Sequence, residues 1–235
     1  MFDYPPFEKI DRLQVIKQYK NEKAPTVIML HGYGANAYDL WSLHRELDPS
    51  GQCNWYFPDG CLELKLMPNY TGRAWFPINE RALDQAMREG RSLDFSRIYP
   101  PGMDRARDLV LGMIAELKVL PGSLILGGFS QGSMLALEVA LNLPQKCRGL
   151  ILFSSGLVNA DETARRAKAV SPFYYFQSHG LQDSILPVEG GERLRELLEQ
   201  QDWNCEWMDF KGGHEIPRQI IEGARRYLGN QLKGN

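Results

Sequence analysis

Residues Gly128 to Gly132 spell GFSQG, a serine with a glycine two positions to either side, and this spacing suits nucleophilic chemistry. The apolar run SLIL precedes the motif and the helix-like run SMLALEVALNL follows it, so Ser130 is predicted on a strand-to-helix turn. A sharp turn exposes the serine hydroxyl and requires very small flanking residues. The alternative is a helix N-cap serine between flexible glycines, and the motif alone favours neither interpretation.

A histidine is needed to activate the serine, because a hydroxyl is a poor nucleophile until a base removes its proton. On a turn of this kind, an acid and then a histidine follow the serine along the chain. His31, His44 and His179 all precede the favoured acid described below. His214 remains, in the segment GGHEIP, where two glycines let a loop place its side chain. A polar turn residue is the alternative interpretation of His214.

Four aspartates between the serine and His214 could orient the imidazole, namely Asp161, Asp183, Asp202 and Asp209. Asp183 follows the apolar run FYYFQ, at the carboxyl end of a predicted strand, where α/β sheets place functional groups. Asp209 lies inside the last predicted strand, close before His214, so its geometry is cramped. Asp161 and Asp202 resemble solvated surface charges. The sequence therefore favours Asp183 as the acid.

Two backbone amides are expected to bind the oxyanion that forms when a serine attacks a carbonyl carbon. One belongs to Gln131, the residue after the serine, and the other comes from a loop after an early strand. The segment LHGYGAN provides that loop, with Gly32 and Gly34 allowing the backbone to turn and Tyr33 offering its amide. A plain glycine-rich connection is the alternative, but the loop lacks the spacing and lysine of phosphate-binding loops.

Short strand-like runs alternate with longer helix-like runs, which predicts an α/β fold with a mostly parallel central sheet and helices on both faces. Buried strands are predicted at 26–30 and 54–58, with an edge strand at 13–19. Helices are predicted at 36–47 and 103–120, the second ending at Pro121-Gly122. A last helix is predicted to start at Ile216-Pro217 and to end at Gly229.

Residues 59–101 depart from this alternation and are too long for a simple connection, so they are predicted to be a lid-like or substrate-pocket insertion near the active site. The whole chain, 1–235, is expected to form a single domain. Six large apolar residues of the insertion could form a wall for an acyl chain: Leu62, Leu64, Leu66, Met67, Trp75 and Phe76. An aromatic-rich packed loop is the alternative.

Composition narrows the classes of function. A net charge of -2 and a pI near 6.1 give nucleic-acid binding no electrostatic support. The amino-terminal residues lack a signal-peptide core and no apolar run could cross a bilayer, so a cytoplasmic protein without a membrane span is expected. The four cysteines, Cys53, Cys61, Cys147 and Cys205, lack the paired spacing of a zinc site. Neither a metal nor another cofactor is expected.

Four segments in order, LHGYGAN, GGFSQGSMLA, HGLQDSILP and GGHEIP, resemble the phospholipase/carboxylesterase branch of the α/β-hydrolase fold, which includes acyl-protein thioesterases. The resemblance implies Ser130 as nucleophile, Asp183 as acid and His214 as base, and it implies an oxyanion hole formed by the amides of Tyr33 and Gln131. GRAWFP resembles a further family segment. Ser133 and Tyr33 stand where many relatives have glycine and leucine, a departure that leaves the three implied residues intact and bears on the shape of the pocket.

The implied activity is that of a serine hydrolase that cleaves carboxylic esters through an acyl-serine intermediate. Its substrate would be a small acyl ester or thioester, and a lysophospholipid is a further option. Two alternatives stay open, because a fold does not determine a function. The chain could be a hydrolase-like binding protein without catalysis, or an acyltransferase or peptidase that uses the same three residues. The oligomeric state is open.

Overall fold

A mixed β-sheet is the centre of the computed structural model, which describes residues 4–68, 70–79, 81, 85, 88, 94–120, 122–172 and 174–233. Its strands are β1 (Glu8–Ile10), β2 (Leu13–Gln18), β3 (Thr26–Leu30), β4 (Asn54–Pro58), β7 (Leu124–Phe129), β8 (Gly149–Phe153), β9 (Tyr174–Gly180) and β10 (Asn204–Phe210). A separate hairpin contains β5 (Leu62–Met67) and β6 (Tyr70–Ala74).

The strand order of the main sheet is β1-β2-β4-β3-β7-β8-β9-β10. From β4 to β10 every neighbouring pair is parallel, whereas β1 and β2 run antiparallel at one edge. Strands β3, β4 and β8 are buried along their whole length, since apolar side chains cover both faces of the sheet. The predicted parallel α/β sheet is confirmed.

The helices are α1 (Leu43–Leu47), α2 (Met103–Glu116), α3 (Gln131–Ala140), α4 (Ala160–Ala169), α5 (Val188–Glu199) and α6 (Arg218–Lys233), and a 3₁₀ helix spans Ala37–Leu40. They bury two apolar clusters, one on each face of the sheet. In α6, Ile220, Ala224 and Leu228 are fully buried, as the helical spacing predicts.

Four details of the predicted strands and helices are wrong. Strand β2 is not an edge strand, because the three-residue β1 pairs with its outer side, and so short a strand leaves no alternating pattern in the sequence. The helix predicted at 36–47 is divided into the 3₁₀ helix and α1. Helix α2 ends at Glu116, before the left-handed Lys118 with φ of 51°, and α6 continues past Gly229.

The β5–β6 hairpin lies within the predicted insertion and packs against the loop that follows β3. The amide of Gly34 donates to the carbonyl of Arg73 at 2.8 Å, and the amide of Arg73 donates to the carbonyl of Ala35 at 2.7 Å. A side chain at Gly72 would overlap the Gly34 carbonyl, so only glycine permits this close approach. The hairpin is thereby held at the carboxyl end of the sheet. Several insertion residues between 80 and 93 lie outside the described residues.

Candidate active site

Ser130 occupies the turn between β7 and α3 with a φ of 55° and a ψ of -121°. A left-handed φ is costly for any residue with a side chain, and such strain is typical of functional turns. Two hydrogen bonds hold the turn: the Ser130 amide donates to the carbonyl of Phe153 at 3.0 Å, and the Ser133 hydroxyl donates to the carbonyl of Ser130 at 2.6 Å. The Ser130 side chain makes no capping hydrogen bond, which argues against the N-cap interpretation.

The two glycines of the motif are steric requirements. A side-chain carbon at Gly132 would overlap the carbonyl of Leu30, at the end of β3. One at Gly128 would collide with the backbone of Gly132 itself. Strand β7, helix α3 and the end of β3 therefore approach one another so closely that no larger residue fits.

Asp183 and His214 form a close pair at the same end of the sheet. Nδ1 of His214 lies 2.6 Å from Oδ2 of Asp183, although 31 positions separate the two residues. Oδ1 of Asp183 accepts hydrogen bonds from the amides of Ile185, at 2.9 Å, and Leu186, at 2.8 Å. Because a carboxylate can only accept, the pair assigns the proton to Nδ1 and leaves Nε2 of a neutral His214 as the basic nitrogen.

Opposing effects act on the pKa of Asp183. Burial raises it, whereas the hydrogen bonds from His214 and from the amides of Leu186 and Ile185 lower it, and the net pKa lies below that of a free aspartate. The carboxylate is consequently ionised at neutral pH. A fixed negative charge beside Nδ1 can orient the imidazole and stabilise its protonated form.

The competing acids lie elsewhere. Asp209 is exposed and accepts a hydrogen bond from the indole of Trp207 at 3.3 Å. Asp161 lies exposed in the first turn of α4, and Asp202 occupies an exposed turn with a φ of 63°. The structure therefore pairs His214 with the acid that the sequence favours.

A cavity of about 190 Å³ opens beside Ser130 and His214. The described residues that line it are Gly32, Tyr33, Ala35, Asp39, Ile78, Phe95, Phe129, Ser130, Gln131, Met134, Ile185, Leu186 and His214. The ring of His214 packs against that of Phe129 with 4.7 Å between ring centroids. The cavity thus combines the candidate nucleophile, the candidate base and a mostly apolar wall.

The predicted acyl wall needs correction, since the described cavity lining includes none of Leu62, Leu64, Leu66, Met67, Trp75 and Phe76. Trp75 and Phe76 are buried in the core, at 1% and 0% exposure, where the tryptophan N–H groups find hydrogen-bond acceptors. Leu66 and Met67 are exposed on the hairpin. Composition identified an apolar segment but could not say which of its side chains face the cavity.

The loop after β3 lies directly against the serine. A side-chain carbon at Gly32 would come within 3.4 Å of Cβ of Ser130, and both Tyr33 and Gln131 line the cavity. The indole of Trp75 donates to the carbonyl of His31 at 2.9 Å and fixes the start of the loop. The two backbone bonds between Arg73 and the loop fix its centre. The two residues whose amides are predicted to bind the oxyanion therefore line the cavity that contains the serine.

The side chain of Gln131 has a role that the sequence did not reveal. Its Oε1 accepts from the amide of Trp75 at 2.9 Å, and its Nε2 donates to the carbonyl of Phe76 at 2.8 Å. Both bonds are buried, so the residue after the serine is joined to the chain that leaves the hairpin. A glutamine at the start of an otherwise buried helix is the only signal in the sequence.

His31 also supports the loop without lying in the cavity. Its Nδ1 donates to the carbonyl of Gly32 at 2.7 Å, and its Nε2 accepts from the amide of Gly60 at 2.9 Å. Burial lowers the pKa of His31 to about 4, against a smaller opposing effect of the Gly32 hydrogen bond. His31 is therefore neutral at physiological pH, as its accepting Nε2 requires.

His179 is a second buried histidine near the site. Its Nε2 lies 2.6 Å from the carbonyl of Leu186 and 3.5 Å from Oδ2 of Asp183. Burial lowers its pKa. It thus helps to hold the loop that carries the acid, while His214 occupies the cavity.

Within the described part of the chain, no cluster of three His, Cys, Asp or Glu side chains could hold a metal ion. All four cysteines are free thiols. A search of the described residues for a helix long and apolar enough to cross a membrane finds none.

The parallel sheet, its strand order and the strained serine on the turn after β7 define an α/β-hydrolase. Comparison with known proteins agrees. A family model described as Phospholipase/Carboxylesterase matches residues 12–232. Acyl-protein thioesterase 1 of Gibberella zeae is 25% identical over 228 residues, covering 90% of this chain and 92% of that protein.

Solved structures show the same likeness. Esterase PE8 is 25% identical, with a TM-score of 0.76 over 92% of this chain and 98% of that one. SOBER1 of Arabidopsis thaliana, at 20% identity, has the same fold with a TM-score of 0.72 over 89% of this chain and 99% of the other. The chain belongs to the phospholipase/carboxylesterase family, and the predicted serine hydrolase of carboxylic esters is confirmed.

Proposed function

We propose that Ser130, His214 and Asp183 carry out ester hydrolysis in this protein. One observation carries the assignment: the Asp183–His214 hydrogen bond of 2.6 Å and the strained Ser130 turn meet at one cavity. Three segments that are far apart in the chain supply these groups. A structural role for each residue separately would give no reason for their convergence.

In the proposed reaction, Nε2 of His214 takes the proton of the Ser130 hydroxyl as its oxygen attacks the substrate carbonyl carbon. The carbonyl oxygen becomes an oxyanion, which the amides of Tyr33 and Gln131 bind. The protonated His214 then gives the proton to the leaving group, and the acyl group remains on Ser130. Water, activated by His214 in the same way, releases the acid and restores the serine.

The apolar part of the cavity is proposed to hold the acyl chain. Its walls are Ile78, Phe95, Met134, Ile185 and Leu186, which carry no charge and approach the serine from several elements. Such a lining favours an alkyl group over a polar one. A small acyl ester is therefore the proposed substrate, and the thioesterase name of the Gibberella zeae relative makes a thioester the second candidate.

We further propose that the elements form a single domain and that residues 59–101 are an insertion beside the site. Its β5–β6 hairpin supports this assignment, since it pairs with itself and contacts the loop after β3. A cytoplasmic location and the absence of nucleic-acid partners rest on the sequence alone.

A fluorophosphonate probe tests the nucleophile, because it reacts with an activated serine and not with an ordinary hydroxyl. The parent protein is expected to be labelled at Ser130 and to hydrolyse p-nitrophenyl butyrate. Ser130→Ala is expected to lose both properties, whereas Ser50→Ala, in an exposed turn before β4, retains labelling. A folded parent that is neither labelled nor active would indicate a binding protein, and turnover in Ser130→Ala equal to the parent would overturn the assignment.

A further inference from the structure

Asp39 places a carboxylate in the lining of the cavity that contains Ser130 and His214. It lies in the 3₁₀ helix directly after the loop of Tyr33, and its side chain has no hydrogen-bond or ion-pair partner among the described residues. Asp39 is exposed as a residue, and the partial burial of its carboxyl group raises the pKa of that group. An exposed side chain without such contacts contributes little to stability, so a substitution of Asp39 is not expected to harm the fold.

Helix capping does not explain Asp39. The side chain of Asn36 is the N-cap of the 3₁₀ helix, and its Oδ1 accepts from the amide of Tyr38 at 3.0 Å. The Asp59 carboxylate accepts from the amide of Ala37 at 2.9 Å. Because other residues bind these amides, Asp39 does not cap the helix, and it lines the cavity.

The formal charges among the described residues of the cavity lining have one sign. Its described lining includes no lysine or arginine, and Asp183 contributes a second negative charge behind His214. A neighbouring cleft shares Phe95 and Leu186 with the cavity.

That cleft is lined by the charged residues Asp94, Glu189 and Arg193. Arg193 lies 3.6 Å from Asp94, so the charge of Glu189 is left in excess. Hydrogen bonds from Ser96 lower the pKa of Asp94, which is therefore ionised at neutral pH. Among the described residues, the cavity and the adjoining cleft therefore carry an excess of negative charge.

We propose that Asp39 is a specificity-determining residue that favours acyl substrates with a cationic group and disfavours those with a carboxylate or phosphate. The inference rests on the proposed esterase function and names its substrate class. Charges within one small cavity interact strongly because apolar walls exclude much of the screening water. Anionic lysophospholipids and coenzyme A thioesters are consequently poor substrates, and neutral or cationic acyl esters are good ones.

The test compares two p-nitrophenyl esters of the same shape, one with an acyl chain ending in trimethylammonium and the other ending in tert-butyl. The measured quantity is kcat/KM for the cationic ester divided by kcat/KM for the neutral ester. Asp39→Asn is expected to lower this ratio about 5- to 10-fold relative to the parent protein. Asp39→Glu is expected to keep most of the parent ratio. Glu22→Gln is the matched control, since it removes one exposed charge before β3, at the opposite end of the sheet, and should keep the parent ratio.

Ionic strength provides a second measurement that needs no variant. Raising salt from about 0.02 M to 0.5 M is expected to lower the same ratio in the parent protein and to change it little in Asp39→Asn. A parent ratio that neither Asp39→Asn nor salt alters would overturn the specificity role while leaving the esterase function intact. A parent that hydrolyses neither ester and resists the fluorophosphonate probe would instead overturn the proposed function.

Discussion

The side chain of Gln131 accepts a hydrogen bond from the amide of Trp75 at 2.9 Å, which joins the residue after Ser130 to the chain that leaves the β5–β6 hairpin. A second bond, from Nε2 of Gln131 to the carbonyl of Phe76, makes the connection bidentate. Gln131 therefore lines the cavity and also holds, through its side chain, the structure that supports the neighbouring loop.

Replacing Gln131 by leucine should destabilise the protein and slow it. Two buried backbone groups, at Trp75 and Phe76, lose their partners, so the free energy of unfolding in urea is expected to fall by about 2–5 kcal/mol. The kcat is expected to fall about 10- to 100-fold, because the loop after β3 loses part of its support and shifts relative to Ser130. Gln219→Leu, on the exposed face of α6, is the control and should change both values little. Equal effects of the two substitutions would contradict this role.

Adding one methyl group to Gly132 should be far more harmful than adding it to Gly229. A side chain at Gly132 overlaps the Leu30 carbonyl, so Gly132→Ala is expected to reduce the free energy of unfolding by more than about 3 kcal/mol. Gly229 is within α6 with nothing inside 4 Å, so Gly229→Ala is expected to stabilise by about 0.5–1 kcal/mol. Thermal unfolding measures both, and a stable Gly132→Ala would disprove the close approach.

Asp183→Asn should remove most of the activity while preserving the fold. The neutral amide cannot stabilise a protonated His214, and it favours the wrong tautomer, so kcat is expected to fall about 10³- to 10⁴-fold. Asp209→Asn makes the same chemical change at the competing acid, which is exposed, and is expected to stay within about twofold of the parent. Activity on p-nitrophenyl butyrate distinguishes them. If Asp209→Asn proved the more harmful, the acid would have been assigned to the wrong strand.

His31 predicts a loss of stability in mild acid. Its pKa is about 4 in the folded protein, whereas a histidine in the unfolded chain titrates near about 6.5. As the pH falls from 6.5 to 4, the unfolded chain binds a proton that the folded protein does not. The free energy of unfolding is therefore expected to fall by about 3 kcal/mol. His31→Gln lacks this component. Urea unfolding at several pH values should show the parent's advantage over the variant shrinking through this range, and a constant gap would be inconsistent with the low pKa.

Long periodic elements could be predicted from the sequence, because buried faces impose a pattern that extends over many residues. Strands β3 and β4 have the predicted bounds, and α2 buries Ala106 and Met113 as its spacing requires. Short local elements could not be predicted from the sequence. The three residues of β1 are too few to show alternation, and α2 ends where Lys118 adopts a left-handed conformation that its residue type does not announce.

The candidate site divides in the same way. Ser130, Asp183 and His214 could be proposed from the sequence because chain order and the ends of strands constrain them, and the structure brings Asp183 and His214 within hydrogen-bond distance. The apolar side chains that line the cavity could not be predicted from the sequence. Whether a large side chain such as Trp75 enters the core or a pocket depends on tertiary contacts, here the acceptors His31 and Gln131. No short-range pattern encodes such partners.

The β5–β6 hairpin is attached to the loop after β3 by main-chain atoms, through the amide of Gly34 and both backbone polar groups of Arg73. Bonds of this kind depend on the shape of the backbone and place few demands on the side chains that point outward from the hairpin. Those outward positions can therefore change over evolutionary time without moving the loop. The hairpin can thus tolerate changes on its outer surface while the loop beside Ser130 keeps its position.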